Sequence, residues 1–425
     1  MSTARVEAFK RLRGDVRVPG DKSTSHRALM VSALANGEST IRGLSPGRDV
    51  AATAQIMQQL GATFSEADDV VSASGPSDGL RASDAVLDCG NSGTTMRLLA
   101  GVVSGVPGTH QLVGDTSLSQ RPMDRVAEPL TLMGSRVQGQ GDRLHAPLRV
   151  TGTHALRGID YAVPMASAQV KSAILFAALG ASSPTTVVEH VRTRPTTEEM
   201  LTRAGVGLVS IESGLGRSVT IRPGRPLARN WQVPGDPSQA AFFAVLGCVH
   251  ANADIEVLDI DSAPERVGFL GVLRRMGATL TLRGESMTSF TVRSSQLTAT
   301  EVLASEIPSL DEVPVLVVAA AAAEGRSVFR DVGELRVKES DRFEGSLSLA
   351  AKLGCRAWSE GDDLFVEGLG SATRFAAFEI DAGLDHRMVM ASAVAGCAGA
   401  GCAIEGAETV SSSYPDFFVD LDRLG

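Results

Sequence analysis

Gln59-Leu60-Gly61-Ala62-Thr63 is a phrase that returns along the chain: an apolar residue, then a glycine, then the start of a strand-like run. It comes back as Leu132-Met133-Gly134-Ser135-Arg136, Arg203-Ala204-Gly205-Val206, Arg275-Met276-Gly277-Ala278-Thr279, Lys352-Leu353-Gly354-Cys355 and Arg423-Leu424-Gly425. The six glycines stand 73, 71, 72, 77 and 71 residues apart. The residue just past a helix end favours left-handed geometry, which costs glycine nothing. The spacing therefore predicts six copies of one structural unit, with a helix stopping at each glycine.

The same grammar surrounds each glycine. A small-residue helix, as at 96–104, 173–179 or 315–323, leads through a turn into a short strand. Those strands read at 39–42, 109–113, 185–189, 254–257, 327–329 and 403–405. A polar loop and a second, amphipathic helix reach the glycine. Beyond it, two alternating runs joined by a turn read as a hairpin, as in 279–283 with 289–293 and 356–359 with 364–367. Val18-Pro19-Gly20-Asp21 recurs as Val233-Pro234-Gly235-Asp236, 215 residues later and close to three periods. The expected architecture is α/β, with two similar domains of three units each. They are residues 19–233, and residues 1–18 plus 234–425, with crossings near 18–21 and 233–236. A leading strand at about 7–16 belongs with the C-terminal half. Ligand sites favour such domain interfaces.

Composition narrows the function. The chain has 425 residues, too many for one simple core. Hydrophobic content of 43% suits a globular protein, and aromatics at 4% offer few base-stacking platforms. A net charge of −9 argues against non-specific nucleic-acid binding, so any basic site must be local. Cys89, Cys248, Cys355, Cys397 and Cys402 form no CxxC pair, which points to a reducing compartment rather than disulfides or zinc. Residues 1–13 hold no apolar core of signal-peptide length, and the run 313–323 is too short to span a bilayer. A cytoplasmic protein with no membrane partner is expected.

Polar clusters precede the first helix of each unit. The first is Gly20-Asp21-Lys22-Ser23-Thr24-Ser25-His26-Arg27, which by itself reads equally as a capped surface helix or an anion site. The others are Asn91-Ser92-Gly93-Thr94-Thr95, Ser167-Ala168-Gln169-Val170-Lys171, Asp236-Pro237-Ser238-Gln239, Asp311-Glu312 and Asp385-His386-Arg387. Equivalent units can aim these helix starts at a common space. The loop before the second helix adds Gln120-Arg121-Pro122, Arg192-Thr193-Arg194-Pro195 and Lys338-Glu339-Ser340-Asp341-Arg342. Lys338, Glu339 and Arg342 are spaced to share one face of a helix start. Singly, each cluster also fits a solvated surface or a helix cap; recurrence at one position of the repeat favours a site. No dinucleotide-binding glycine pattern, P-loop, metal-ligand spacing or nucleophile elbow occurs. What remains is the equipment for holding polyanions and moving protons between them.

These stretches, with Gly90-Asn91-Ser92-Gly93-Thr94-Thr95-Met96-Arg97, Gln120-Arg121-Pro122-Met123, Pro164-Met165-Ala166-Ser167-Ala168-Gln169-Val170-Lys171-Ser172-Ala173, Glu334-Leu335-Arg336-Val337-Lys338-Glu339-Ser340-Asp341-Arg342, Asp385-His386-Arg387-Met388 and Ser413-Tyr414-Pro415-Asp416-Phe417, resemble the EPSP synthase (3-phosphoshikimate 1-carboxyvinyltransferase) family of enolpyruvyl transferases. They occur in family order over nearly the whole chain. The resemblance implies two domains, each of three repeated βαβαββ units in an inside-out α/β barrel-like arrangement, with the active site in the interdomain cleft. It implies transfer of the enolpyruvyl group of phosphoenolpyruvate to the 5-hydroxyl of shikimate 3-phosphate, with no metal or organic cofactor, by a monomer.

Carried over position by position, the resemblance makes Lys22, Ser23, Arg27, Ser167, Ala168, Gln169, Arg194, Asp311 and Lys338 look like contacts to shikimate 3-phosphate. Lys22, Asn91, Gly93, Thr94, Arg121, Gln169, Arg342 and Arg387 look like contacts to phosphoenolpyruvate. Asp311 is the candidate base, Glu339 the candidate proton donor and Lys22 the stabiliser of the departing phosphate. Gly93 resembles the small residue on which glyphosate sensitivity depends, so inhibition is expected. Two positions depart from the pattern: Val410-Ser411-Ser412-Ser413 has no lysine where many members carry one, and Glu334 stands where many have Asn. The nearest alternative, UDP-N-acetylglucosamine enolpyruvyl transferase, usually has a Cys shortly before an Arg-Pro; Asp115-Thr116-Ser117-Leu118-Ser119-Gln120-Arg121-Pro122 has none. A non-catalytic phosphosugar-binding relative is the other alternative, disfavoured because Lys22, Asp311 and Glu339 are all kept.

Overall fold

Between the spaced glycines the chain builds six small sheets in the computed structural model, which describes residues 2–284, 287–370 and 374–425. Gly61, Gly134, Gly205, Gly277 and Gly354 all have left-handed φ, between 80° and 107°, and each follows a helix. The period thus marks helix ends, for the steric reason that made glycine necessary there. The chain divides into two compact units, Lys22–Val233, and Met1–Asp21 with Pro234–Gly425.

Within Lys22–Val233 lie three four-stranded sheets of one topology. The first runs Asn230–Gln232, Glu38–Arg42, Val70–Ser74, Thr63–Ala67. The second runs Leu87–Asp88, Gly108–Val113, His145–Gly152, Arg136–Gln140, and the third Asp160–Val163, Thr185–Glu189, Gly216–Ile221, Leu208–Ser213. In each, the last two strands are an antiparallel hairpin and the first lies parallel to the second. That parallel strand completes the βαβαββ unit. It escapes the periodic reading because a strand of two residues (Leu87–Asp88) or three (Asn230–Gln232) shows no alternation. The first sheet borrows it from the far end of the unit, where Asn230 pairs with Thr40.

The other unit repeats the scheme with two differences from the sequence expectation. Its four-stranded sheets run Leu12–Val16, Ala253–Asp261, Met287–Arg293, Thr279–Arg283, and Glu301–Leu303, Glu324–Arg330, Asp363–Leu369, Arg356–Glu360. The leading strand expected at 7–16 is two strands in two sheets. Leu12–Val16 pairs with Ala253–Asp261, whereas Thr3–Val6 pairs antiparallel with Cys402–Glu405. Among the described residues, the sixth unit's sheet has three strands rather than four, and the helix Phe417–Leu424 follows it. Thr3–Val6 takes the hairpin's place beside Cys402–Glu405, with Phe378–Asp381 on the other side.

Burial explains the two kinds of helix. Lys22–Leu34, Gly93–Ser104 and Ala168–Ala178 in one unit, and Pro237–Val249, Val313–Ala322 and His386–Ala398 in the other, are buried on nearly every side. Val313–Ala322 reads VPVLVVAAAA; its β-branched residues are mediocre helix formers, but a helix apolar all round belongs in a core. Gly101 shows how closely these helices approach. A Cβ there would run into the backbone of Ala173 on Ala168–Ala178, so only glycine lets the two axes close up. The outer helices, such as Arg48–Gln59 and Arg342–Lys352, bury one face only. Among the described residues, no helix is long and apolar enough to cross a membrane.

Candidate active site

The starts of the three buried helices of Lys22–Val233 meet at one pocket. Ser23, Arg27, Thr94, Ala168, Gln169, Arg194 and Thr196 line it around roughly 270 Å³ of open space. The N-terminal turn of a helix leaves N–H groups unsatisfied and a partial positive charge, so three such ends favour an anion. Ser92 and Ser167 cap two of the helices, accepting from Thr95 N (3.0 Å) and Val170 N (3.3 Å). Arg27 is buried and fixed by three contacts: Nε donates to Thr197 Oγ1 (2.6 Å), Nη2 to Ser172 Oγ (2.8 Å) and Nη1 to Ser23 O (2.8 Å). Arg194 Nη1 donates to Ser23 Oγ (3.2 Å).

Beside this pocket the hydrogen bonds run on through Gln169. Its Nε2 donates to Thr94 Oγ1 (2.9 Å), and its Oε1 accepts from Arg97 Nη1 (2.7 Å). Arg121, also buried, donates from Nη2 to Asn91 Oδ1 (2.8 Å) and Ser117 Oγ (3.1 Å), while Asn91 Nδ2 reaches Asp115 (2.7 Å). A Cβ on Gly93 would lie 3.0 Å from Arg97 Nη1 and 3.2 Å from Arg121 Nη1. Lys22, at the first turn of its helix, is ion-paired with the buried Asp49. All the site residues expected between 22 and 194 are thus placed on helix starts or on the loops beside them.

The second unit gathers a different set. Arg342 is fully buried and holds three carboxylates: Nε and Nη2 on Asp385 (2.7 and 3.2 Å), Nη1 on Asp311 (2.9 Å) and Nη2 on Glu339 (2.7 Å). Arg387 Nη2 reaches the other oxygen of Asp311 (3.2 Å), and Lys338 Nζ donates to Ser309 O (3.0 Å). Burial alone would push Asp311 up; Arg387, Lys338 and Arg342 outweigh it and hold the carboxyl well below the ordinary range, with Glu339 opposing. Asp385 follows the same balance: burial raises it, Arg342 and His386 lower it further, and the net shift is down. Leu310 and Leu384 precede these two aspartates with left-handed φ of 57° and 59°. A left-handed leucine costs about 1–2 kcal/mol, strain that a cluster of ion pairs can hold in place. Arg387 Nη1 is buried with no hydrogen-bond partner among the described residues.

One expectation needs correction. Lys338 and Glu339 do not stand on a helix start with Arg342. The helix begins at Arg342, behind the cap Asp341, and Lys338 ends a short 3-10 turn, Gly333–Val337. Glu339 still meets Arg342, because the loop between folds back on it. The sequence reading also left out Arg97, Ser172 and Thr197, which hydrogen-bond the pocket-lining side chains of Gln169 and Arg27. Arg97 carried a usable signal, standing four residues after Gly93 on the same helix face. Ser172 and Thr197 carried none, since only packing brings them to Arg27. In the stretch 410–413, the Ser412 hydroxyl donates to Thr409 O (2.8 Å). Among the described residues, no group of three His, Cys, Asp or Glu side chains could hold a metal.

Comparison with known proteins places this architecture. The fold matches the enolpyruvyl transferase NikO from Streptomyces tendae at a TM-score of 0.79, with 19% identity over 99% of this chain and 97% of that one. EPSP synthase from Acinetobacter baumannii matches at a TM-score of 0.86, with 36% identity over 100% and 98%. The family model for EPSP synthase (3-phosphoshikimate 1-carboxyvinyltransferase) matches residues 6–421. Two proteins named 3-phosphoshikimate 1-carboxyvinyltransferase are similar over nearly their full length. That of Synechococcus sp. (strain WH7803) is 42% identical, covering 100% of this chain and 99% of the relative. That of Anaeromyxobacter sp. (strain Fw109-5) is 43% identical, covering 97% and 96%. The fold is thus that of the enolpyruvyl transferases. Within that class, the chain belongs to the EPSP synthase (3-phosphoshikimate 1-carboxyvinyltransferase) family.

Proposed function

We propose that this chain transfers the enolpyruvyl group of phosphoenolpyruvate to the 5-hydroxyl of shikimate 3-phosphate, releasing inorganic phosphate, as a step of aromatic amino acid biosynthesis. The observation that carries the reading is the pocket where three helix starts meet Arg27 and Arg194. Backbone N–H groups, hydroxyls and guanidinium forks together suit a phosphate ester. On this reading Lys22, Ser23, Arg27, Ser167, Ala168, Gln169, Arg194, Asp311 and Lys338 take shikimate 3-phosphate. Lys22, Asn91, Gly93, Thr94, Arg121 and Gln169 take phosphoenolpyruvate, with Arg342 and Arg387. The buried Nη1 of Arg387, without a hydrogen-bond partner among the described residues, supports this: leaving a buried donor unsatisfied costs about 1–3 kcal/mol, which a bound anion would recover.

The reaction is an addition followed by an elimination. In the addition, the 5-hydroxyl oxygen bonds to C2 of phosphoenolpyruvate, its proton passes to Asp311, and Glu339 gives a proton to C3. In the elimination, C3 returns a proton to the now-ionised Glu339 and the C2–oxygen bond to phosphate breaks, with its electron pair leaving on the phosphate; Lys22 stabilises that charge. The cations around Asp311 make it a weak base. Anionic substrates neutralise those cations, so its basicity rises as the 5-hydroxyl arrives. Glu339 is ion-paired with Arg342, and an ion-paired carboxylate holds no proton to give. The phosphoenolpyruvate carboxylate, competing for Arg342, releases it to take one up.

The test is phosphate release from phosphoenolpyruvate with shikimate 3-phosphate and, in parallel, with UDP-N-acetylglucosamine. Release only with shikimate 3-phosphate is expected. Release with the nucleotide sugar, or none with either while shikimate 3-phosphate still binds, overturns the reading. Normal turnover in Glu339→Gln would remove that residue from its role. We also propose a cytoplasmic monomer acting on small molecules alone; the five buried free thiols support the reducing compartment.

A further inference from the structure

We infer that a buried four-charge cluster, Lys171, Glu189, Glu198 and Arg217, is the positioning device that aims Arg194 into the pocket. None of the four lines that pocket. Lys171 is fully buried on the helix Ala168–Ala178, three residues after the pocket-lining Ala168. Its Nζ donates to Glu189 Oε2 (2.8 Å) and to the backbone carbonyl of Arg194 (3.2 Å), and it is ion-paired with Glu198 Oε1 at 2.6 Å. Arg217, on the strand Gly216–Ile221, donates from Nη2 to the carbonyl of Thr193 (2.7 Å) and stands 3.7 and 4.0 Å from Glu189 and Glu198. The Thr193 hydroxyl in turn donates to Glu189.

The arrangement has a direction. Residues 190–195 join the strand Thr185–Glu189 to the helix Thr196–Arg203, and the two ends of that link supply the two glutamates. Two successive carbonyls of the link are each held from the inside by a cation. The Arg194 side chain leaves on the other side, to Ser23 and the pocket. A loop with unanchored carbonyls would let that guanidinium wander, and a guanidinium contributes fully to phosphate binding only when its fork is pre-placed. The cluster balances two positive against two negative charges, so it adds no net field to an anion site just above it. Neighbouring residues serve the other arginine: Ser172, next to Lys171, and Thr197, next to Glu198, both hold Arg27. Removing Lys171 together with Glu198 therefore loosens the Arg194 arm and leaves the contacts of Arg27 in place.

The inference rests on the assignment of Arg194 to shikimate 3-phosphate, and the test separates the two. The double variant Lys171→Met with Glu198→Gln keeps the cluster neutral while releasing the Arg194 carbonyl. Its KM for shikimate 3-phosphate is expected to rise about 10- to 100-fold, the range of one lost charge-assisted hydrogen bond, with the KM for phosphoenolpyruvate changed less than about threefold. Adding Arg194→Ala to it should raise the KM no further than Arg194→Ala alone, because both changes remove one interaction. A mere loss of stability would not give that non-additivity. If the double variant does not fold, Glu189→Gln with Arg217→Met releases the Thr193 carbonyl instead and carries the same expectation. Parallel changes in both KM values, or additivity with Arg194→Ala, would overturn the inference. Should Arg194→Ala itself leave the KM for shikimate 3-phosphate unchanged, the assignment of Arg194 falls, and the inference with it.

Discussion

Gly93 is a residue where one methyl group should be felt by the ligand rather than by the fold. Its missing Cβ leaves room for Arg97 and Arg121, whose nearest nitrogens would stand 3.0 and 3.2 Å from an alanine methyl. Both are ends of flexible side chains, so Gly93→Ala should fold normally while moving two cations by a few tenths of an ångström. The expected outcome is a raised KM for phosphoenolpyruvate and a larger rise in the inhibition constant of glyphosate, read from steady-state kinetics at several inhibitor concentrations. Asp385 makes a prediction about pH. Its carboxyl titrates below its ordinary value of 3.8 in the folded chain. A group depressed on folding contributes stability that is present above the unfolded value and lost as pH falls through the folded one. Acid unfolding should therefore steepen below about pH 4. Asp385→Asn should flatten that slope and cost about 3 kcal/mol at neutral pH, where Arg342 loses a buried partner, as urea unfolding at a series of pH values would show. The aspartate and arginine types at these positions were legible in the sequence. That one arginine serves three carboxylates was not, since Asp311, Glu339 and Asp385 come from three separate segments.

At the scale of elements, the helices are what carry the site, and their spacing sets its geometry. Gly101 lets Gly93–Ser104 lie against the backbone of Ala173. Gly101→Val should push these helices apart, cost about 1–3 kcal/mol as an overpacked core does, and stretch the Gln169–Thr94 hydrogen bond at the pocket. Thermal unfolding and both KM values should shift together. Gly271 on the outer helix Gly268–Arg275 has nothing within 4 Å of its added Cβ. There Gly→Ala should stabilise by about 0.5–1 kcal/mol through helix propensity alone. Such helix starts were readable because caps and cations are local signals. The loop before Arg342 was misread as helix because its charges have helical spacing while its backbone turns first through a 3-10 segment.

At the scale of the molecule, the six sheets depend on pairings between distant parts of the chain. Thr3–Val6 covers an edge of Cys402–Glu405, and Ser2 donates to Glu408 from both its backbone N (2.9 Å) and its hydroxyl (2.6 Å). Deleting residues 2–6 should expose that edge, lower the melting temperature by at least about 2 °C and promote association, visible in thermal melts and light scattering. The amino-acid sequence by itself determined the repeat, the helix ends and the kind of residue at each helix start. Glycine geometry, capping and hydrophobic period act over a few residues, and the 71- to 77-residue spacing copies them six times. Only the tertiary structure decided which strand closes each sheet, which residues orient Arg27 and Arg194, and how Asp311 comes to lie between Arg342 and Arg387. Those are contacts between residues far apart in the chain, and their energies depend on burial and distance, which no local pattern of side chains encodes.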